Sequence, residues 1–323
     1  MKNILVTGAG GFIGGWLTRN LLRDPEINLI AIDLKPIDQW YQVFDVNNLV
    51  MDLRLMENTR SSVRGIDEVY NLAADMGGMG FIENHKADCM ISSLINTHML
   101  LSARDSNVSK FFFASSACVY NDSKQKKTIN PPLTESDAYP AAPEDGYGWE
   151  KLFGERMCRH FCEDFGLDVR VARFHNIYGP YGTWSGGREK APAAICRKVA
   201  TAVKNGVHEI NIWGDGEQTR SFTFINDAVE GVERLMKSEF SSPINIGSSE
   251  LVSINQLVTI VEDIAGIKLK RTYDLNAPKG VRGRSSDNSL CKEVLGWEPK
   301  TTLMDGISET YEWIFNQINI EKK

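Results

Sequence analysis

The chain opens with Asn3-Ile4-Leu5-Val6-Thr7-Gly8-Ala9-Gly10-Gly11-Phe12-Ile13-Gly14, an apolar run that meets a glycine-rich turn and then a helical pattern. The pattern predicts a strand over 3–7 and a helix over 12–22. In that setting Gly8, Gly11 and Gly14 permit a tight turn and a close approach of backbone to a pyrophosphate. Phe12 and Ile13 begin the helix, whose unpaired N–H groups point at the phosphates. Glycines also serve ordinary turns, so the next element matters. A second strand over 28–33 ends in Asp33. A carboxylate there accepts hydrogen bonds from a ribose 2′-hydroxyl and repels a 2′-phosphate, which favours NAD over NADP.

Outward from this turn, short strands predicted over 49–52, 68–72, 110–115 and 168–173 alternate with helical patterns over 84–104 and 147–165. Such alternation gives crossover units and a parallel sheet with helices on both faces. Beyond Tyr178, Gly, Pro and Trp become frequent. A helix is predicted over 191–204, and short strands (210–213, 222–224, 244–246) mix with helices (254–264, 303–315). The expected fold class is α/β, with a Rossmann-type doubly wound parallel sheet formed by residues 1–177 and a return segment near 220–245. A smaller mixed α/β C-terminal substrate lobe is expected over 178–323. Ligands of such folds sit at the carboxyl edge of the sheet.

The 323 residues carry a net charge of −6, with an isoelectric point near 5.5. This argues against nucleic acid as a partner, although a few local arginines can still hold a small anion. No apolar run approaches the ~18 residues of a membrane span, and the glycine-punctuated N-terminus does not read as an export signal. The six cysteines (89, 118, 158, 162, 196 and 291) show neither a paired framework nor a zinc-ligand spacing. Reduced thiols, a cytoplasmic location and no metal are therefore expected.

Tyr147-Gly148-Trp149-Glu150-Lys151 sets a tyrosine and a lysine four apart, on one side of a helix. A cation so placed stabilises a tyrosinate, whose phenol otherwise ionises near roughly 10, and makes it a base for a hydroxyl proton. Either residue alone is ordinary surface decoration. Together with the glycine turn, and with Ser115-Ser116 at the end of a predicted strand, the pair marks a site. These parts, with Asp33, Asp52-Leu53 and Asn71-Leu72-Ala73-Ala74, resemble the extended short-chain dehydrogenase/reductase family. Trp213-Gly214-Asp215-Gly216, Arg220-Ser221-Phe222 and Asn245-Ile246-Gly247 resemble its nucleotide-sugar lobe. The resemblance implies cofactor contacts at Asp52, Leu53 and Ala73, and hydride-transfer chemistry by Ser116, Tyr147 and Lys151 beside a nicotinamide.

Five further blocks narrow the resemblance to the branch of that family that epimerises GDP-mannose. They are residues 74–80 (ADMGGMG), 115–118 (SSAC), 173–180 (RFHNIYGP), 186–192 (GGREKAP) and 280–284 (GVRGR). This implies GDP-mannose as substrate, a ketone formed transiently at carbon 4, and a homodimer paired through helices near 84–104 and 147–165. It also implies acid/base roles for Cys118 and Lys190. Related dehydratases carry a glutamate base where Cys118 stands, two residues after the catalytic hydroxyl. A thiol ordinarily ionises near roughly 8.5 and can take and give a proton near neutrality. A free cysteine is equally a small buried hydrophobe, and a lone lysine a solvated charge. As a base Lys190 needs desolvation or a neighbouring cation, for which Arg188 is the candidate.

Lys198, Arg220, Arg282 and Arg284 are candidates for holding a diphosphate, where guanidinium forks bind oxygens in pairs. Ser115, and Asn176 at the end of the sixth strand, are candidates for the sugar or phosphate. The Gly77–Gly80 loop, with Gly78 and Met79, lets backbone approach a sugar ring. Two alternatives within the enzyme class are a nucleotide-sugar 4-epimerase, in which Cys118 and Lys190 stand idle, and a 4,6-dehydratase. The dehydratase normally shows Asp-Glu where this chain has Ala117-Cys118. The alternative from another class is a non-catalytic NAD-sensing binding protein, which usually lacks the Tyr/Lys pair that this chain keeps.

Overall fold

In β1 (Lys2–Thr7) every side chain from Ile4 to Thr7 is buried, as happens to a strand covered on both faces. Ile4 and Val6 join one apolar cluster, and Leu5 joins another on the opposite face, following the period of two. The computed structural model describes residues 1–320, so the last three residues of the expected C-terminal lobe, 321–323, lie outside it. After β1 come α1 (Phe12–Leu21), β2 (Ile27–Asp33), β3 (Asn47–Val50), α2 (Met56–Ser62) and β4 (Glu68–Asn71). Then follow α3 (Met79–Asn84), α4 (Lys86–Asp105), β5 (Lys110–Ser116), α5 (Tyr147–Phe165), β6 (Val169–Phe174) and α6 (Ala191–Asn205).

The sheet runs β3, β2, β1, β4, β5, β6 and finally Pro243–Ile246, with each pair parallel. Strand order reverses between β1 and β4, so the loops leaving these two strands diverge and open a crevice at their carboxyl ends. Phe112 faces the first cluster, while Phe111 and Phe113 face the second. Burying each such ring contributes roughly 1.5–3 kcal/mol. α1 turns Trp16, Leu17 and Leu21 to the first cluster. α4 and α5 cover the other face through Met99, Leu100, Cys158 and Phe161.

The helix expected over 84–104 is α4, which starts two residues later, after a separate short helix, α3. The chain leaves helical geometry at His85, whose ring stacks on Phe81 with centroids 4.5 Å apart. The third strand ends at Val50, so Asp52 lies beyond it in a turn, paired with Arg54.

Past β6 the chain builds smaller sheets. Thr219–Ser221 lies between Leu251–Ser253 and Gly283–Arg284, and Glu209–Trp213 pairs with Lys270–Asp274. The helix Ile254–Ala265 starts at a reciprocal cap in which Ser253 accepts from the Gln256 N–H and the Gln256 side chain accepts from that of Ser253. It packs with α6 and Leu303–Ile320 through Leu257, Val258, Val261, Ile195 and Val199, all within the apolar cluster that covers one face of the main sheet. Among the described residues no helix is long and apolar enough to cross a membrane.

Candidate active site

The glycine turn between β1 and α1 builds one side of the crevice. Gly8 has φ +70, and a Cβ there would lie 3.0 Å from the backbone of Leu72 and Ala73. A Cβ on Gly14 would lie 2.1 Å from the Gly8 carbonyl oxygen, so only glycine lets α1 begin this close to β1. Gly11 caps α1 without a side-chain acceptor, which leaves the first-turn N–H groups available to phosphate. The Asp33 carboxylate accepts from the Lys35 N–H with one oxygen. Leu53 and Ala73 pack in the cluster beneath. A cradle that a Cβ would fill, beside an acid at the tip of β2, fits a dinucleotide with a free 2′-hydroxyl.

A cavity of about 280 Å³ opens at this edge, lined by residues from both the main sheet and the chain beyond β6. Ser116, Cys118, Tyr147, Asn176, Lys190, Lys198, Arg220 and Arg284 all reach its wall, as do Gly78 and Met79. Ser116 ends β5 and its hydroxyl accepts from the Cys118 N–H at 3.2 Å, which fixes the tight turn that carries the thiol. Tyr147 is the first residue of α5, and burial first of all raises its phenol well above its ordinary value. The Cys118 and Glu150 charges raise it further, and a hydrogen bond with Ser116 opposes them. Lys151 sits one turn on, with Nζ 5.6 Å from the Tyr147 ring centre and 3.3 Å from the Glu150 carboxylate. The cation expected to favour the tyrosinate is therefore engaged by Glu150.

Cys118 and Lys190 reach the cavity wall from two separate elements. The thiol follows β5 of the main sheet, and Lys190 caps α6. Burial pushes the Cys118 thiol up to about 11, with Glu144 adding to the rise and Arg284 opposing it. Burial also lowers the Lys190 ammonium; Cys118 opposes this and Arg284 adds to it. The cation beside Lys190 is thus Arg284. Arg188, expected in that role, pairs instead with Asp75 and lies over the Phe81 ring at 3.7 Å.

Several other residues differ from expectation. The Ser115 hydroxyl points away from the cavity and donates to Glu155, which pairs with Arg173 inside the protein. Arg282 lies outside the cavity wall in an ion pair of 2.8 Å with Asp215. Asn176 follows the end of β6 in a left-handed conformation (φ 46), and its amide donates to the Ser221 carbonyl at 3.0 Å. Gly78 is needed for another close approach. A Cβ there would lie 2.4 Å from the Glu189 carbonyl oxygen, and its N–H donates to the Arg188 carbonyl at 2.9 Å. The loop over 77–80 is thereby tied to the segment that delivers Lys190.

Glu144, Gln125 and Glu150 were not evident from sequence. Glu144 pairs with Arg284, whose Nε donates to Gln125 at 2.5 Å. Six cationic side chains and two carboxylates line the cavity, a local excess of positive charge on a protein of net charge −6. Such a wall suits an anionic ligand. Among the described residues no cluster has the makeup of a metal site.

Residues 4–247 match the model of the NAD dependent epimerase/dehydratase family. The chain belongs to that family. It is 49% identical over 321 residues to the GDP-mannose 3,5-epimerase of Arabidopsis thaliana, covering 99% of this chain and 84% of that one. To GDP-mannose 3,5-epimerase 1 of Oryza sativa subsp. japonica it is 50% identical, covering 99% and 83%. Among solved structures, the UDP-glucuronic acid 4-epimerase of Bacillus cereus, in complex with UDP-glucuronic acid and NAD, superposes with a TM-score of 0.83 at 25% identity, over 98% of this chain and 99% of that one. The UDP-glucose 4-epimerase of Thermotoga maritima superposes with a TM-score of 0.87 at 24% identity over the same shares, and shows the same fold.

Proposed function

We propose that this enzyme epimerises GDP-mannose at carbons 3 and 5, through a sugar oxidised transiently at carbon 4, to give GDP-L-galactose, GDP-L-gulose or both. The observation that carries the reading is the meeting of Cys118 and Lys190, one from each lobe, on a cation-lined cavity that also holds Tyr147 and Ser116. The near-half identity to named GDP-mannose 3,5-epimerases along almost the whole chain supports the substrate.

NAD, held by the glycine turn and Asp33, supplies when bound the hydride acceptor and donor, and its oxidised ring adds a positive charge that favours the ionised phenol. Tyr147 takes the proton of the carbon-4 hydroxyl, oriented by Ser116. A ketone at carbon 4 acidifies the hydrogens on carbons 3 and 5. One of Cys118 and Lys190 removes such a proton, and the other returns one to the opposite face, which inverts the centre. Tyr147 returns its proton to the oxygen when the ketone is reduced, so no net oxidation remains. Lys198 and Arg220 on the wall are the candidates for the diphosphate. Arg284, already engaged by protein groups, stands beside the thiol.

A 4-epimerase needs no acid/base pair beyond Tyr147, and would leave Cys118 and Lys190 without work. The protein is also proposed to act as a homodimer. Met90, Ile91 and Leu94 on α4 and Trp149 and Phe153 on α5 are exposed apolar side chains at helical spacing on two helices that pack together.

Incubating purified protein with GDP-mannose and following the sugar by NMR tests the reading. GDP-hexoses inverted at carbon 5, or at carbons 3 and 5, are expected. Unchanged GDP-mannose beside conversion of a UDP-sugar overturns it.

A further inference from the structure

Arg284 is buried, and its guanidinium divides among three protein groups. Nε donates to Gln125 Oε1 at 2.5 Å, Nη2 donates to Glu144 Oε1, and Nη1 lies 3.8 Å from the Cys118 sulfur. The fork is therefore held at its stem by Gln125, while its two tips meet the carboxylate and the thiol. Glu144 is tied to the same turn by its backbone, since its N–H donates to the Cys118 carbonyl at 3.0 Å. Its second oxygen, Oε2, is buried without a hydrogen-bond partner. Cys118, Arg284 and Glu144 thus form one fixed triangle on the cavity wall.

We propose that Glu144 is a positioning residue for the epimerising thiol: it locks the Arg284 guanidinium against the Cys118 sulfur and offsets its charge, and so sets the protonation state in which Cys118 meets the substrate. This rests on the reading of Cys118 as an acid/base group. An unbalanced guanidinium at this distance would favour thiolate, as cations do for reactive cysteines. A carboxylate on the same guanidinium cancels much of that field. The other groups facing the thiol are Ser116 from its own turn, Tyr147 at the start of α5, Lys190 at the start of α6 and Arg220 from Thr219–Ser221. Lys190 and Arg220 are cations, so Glu144 is the carboxylate opposing three positive side chains around one sulfur. The directions agree: Glu144 raises the thiol and Arg284 lowers it.

The test reads the thiol itself, without any sugar. The rate of Cys118 alkylation by iodoacetamide is measured against pH in the NAD-loaded protein, with Cys118→Ala giving the background from the other cysteines. Glu144→Gln keeps the shape and removes the charge. Its alkylation midpoint is expected to fall by on the order of one pH unit. Glu144→Asp, which keeps the charge, is expected to stay nearer the wild-type midpoint. Arg284→Gln is expected to move it upward. A Glu144→Gln protein with wild-type thermal unfolding and an unmoved or raised midpoint overturns the proposal. If Glu144→Gln does not fold, an Arg284→Gln midpoint that is unmoved or lowered overturns it instead. Because no substrate is present, a failure to turn over GDP-mannose leaves this result readable, and the thiol result does not decide the substrate.

Discussion

Lys151 and Glu150, neighbours in sequence, form an ion pair of 3.3 Å with both side chains buried. Burial raises the Glu150 carboxyl above its ordinary value, and Lys151 opposes the rise. Removing the lysine leaves a buried charge without a partner, a loss that typically costs about 3–5 kcal/mol. Glu150 can escape by taking a proton. Its folded pKa then lies further above the unfolded value, so the proton-bound form stabilises the fold at low pH and that contribution is lost as pH rises. Lys151→Met is therefore expected to be increasingly destabilised relative to wild type from pH 5 to about pH 8 in urea unfolding. Lys151→Met with Glu150→Gln should recover most of the loss. A pH-independent difference would contradict the account of this pair.

Asp33 should decide the cofactor. Wild-type protein is expected to bind NAD far better than NADP, and Asp33→Ala to narrow the gap by removing a hydrogen bond and a repulsion together. Titration calorimetry with both dinucleotides checks it. Equal affinity in the wild type would refute the reading of β2.

His175 is fully buried, its Nε2 2.9 Å from Asn245 Oδ1. Burial holds its pKa down to about 3. Between that value and its ordinary one near roughly 6.5 the unfolded chain binds the proton and the folded chain does not. Stability from this group is thus complete above the unfolded value and is lost as pH falls. Wild type should lose about 2 kcal/mol between pH 7 and pH 5 that His175→Gln does not lose. Parallel urea midpoints for the two proteins over that range would contradict it.

The exposed stripe on α4 and α5 predicts a dimer at micromolar concentration in light scattering. Leu94→Glu with Phe153→Glu is expected to give a folded monomer, since each places a charge in the apolar contact. A monomeric wild type would remove the proposal.

What was legible in the sequence is what one element carries by itself. The glycine turn needs only β1 and α1, and Tyr147 and Lys151 share one helix. Ser115 faces away from the cavity, as the period of two implies: neighbours on a strand face opposite ways, and its hydroxyl meets Glu155. Arg282 lies just outside the strand Gly283–Arg284 and is drawn to Asp215. Glu144 and Gln125 reach Arg284 across 140 and 159 residues of chain. No local pattern encodes such a meeting, which exists only once distant parts of the chain have packed. The same holds for Arg284 as the cation near Lys190, where sequence proximity pointed to Arg188.

In the proposed division of labour Cys118 and Lys190 perform the inversion while Tyr147 serves the oxidation. The measurement is incorporation of solvent deuterium into GDP-mannose, recorded by NMR together with the absorbance of reduced nicotinamide. Wild type should incorporate deuterium at carbons 3 and 5. Tyr147→Phe should show neither deuterium nor reduced cofactor. Cys118→Ala and Lys190→Ala should each lose deuterium incorporation and still show transient reduction of the cofactor. Deuterium entering carbons 3 and 5 at wild-type rates in both of these variants would contradict the account.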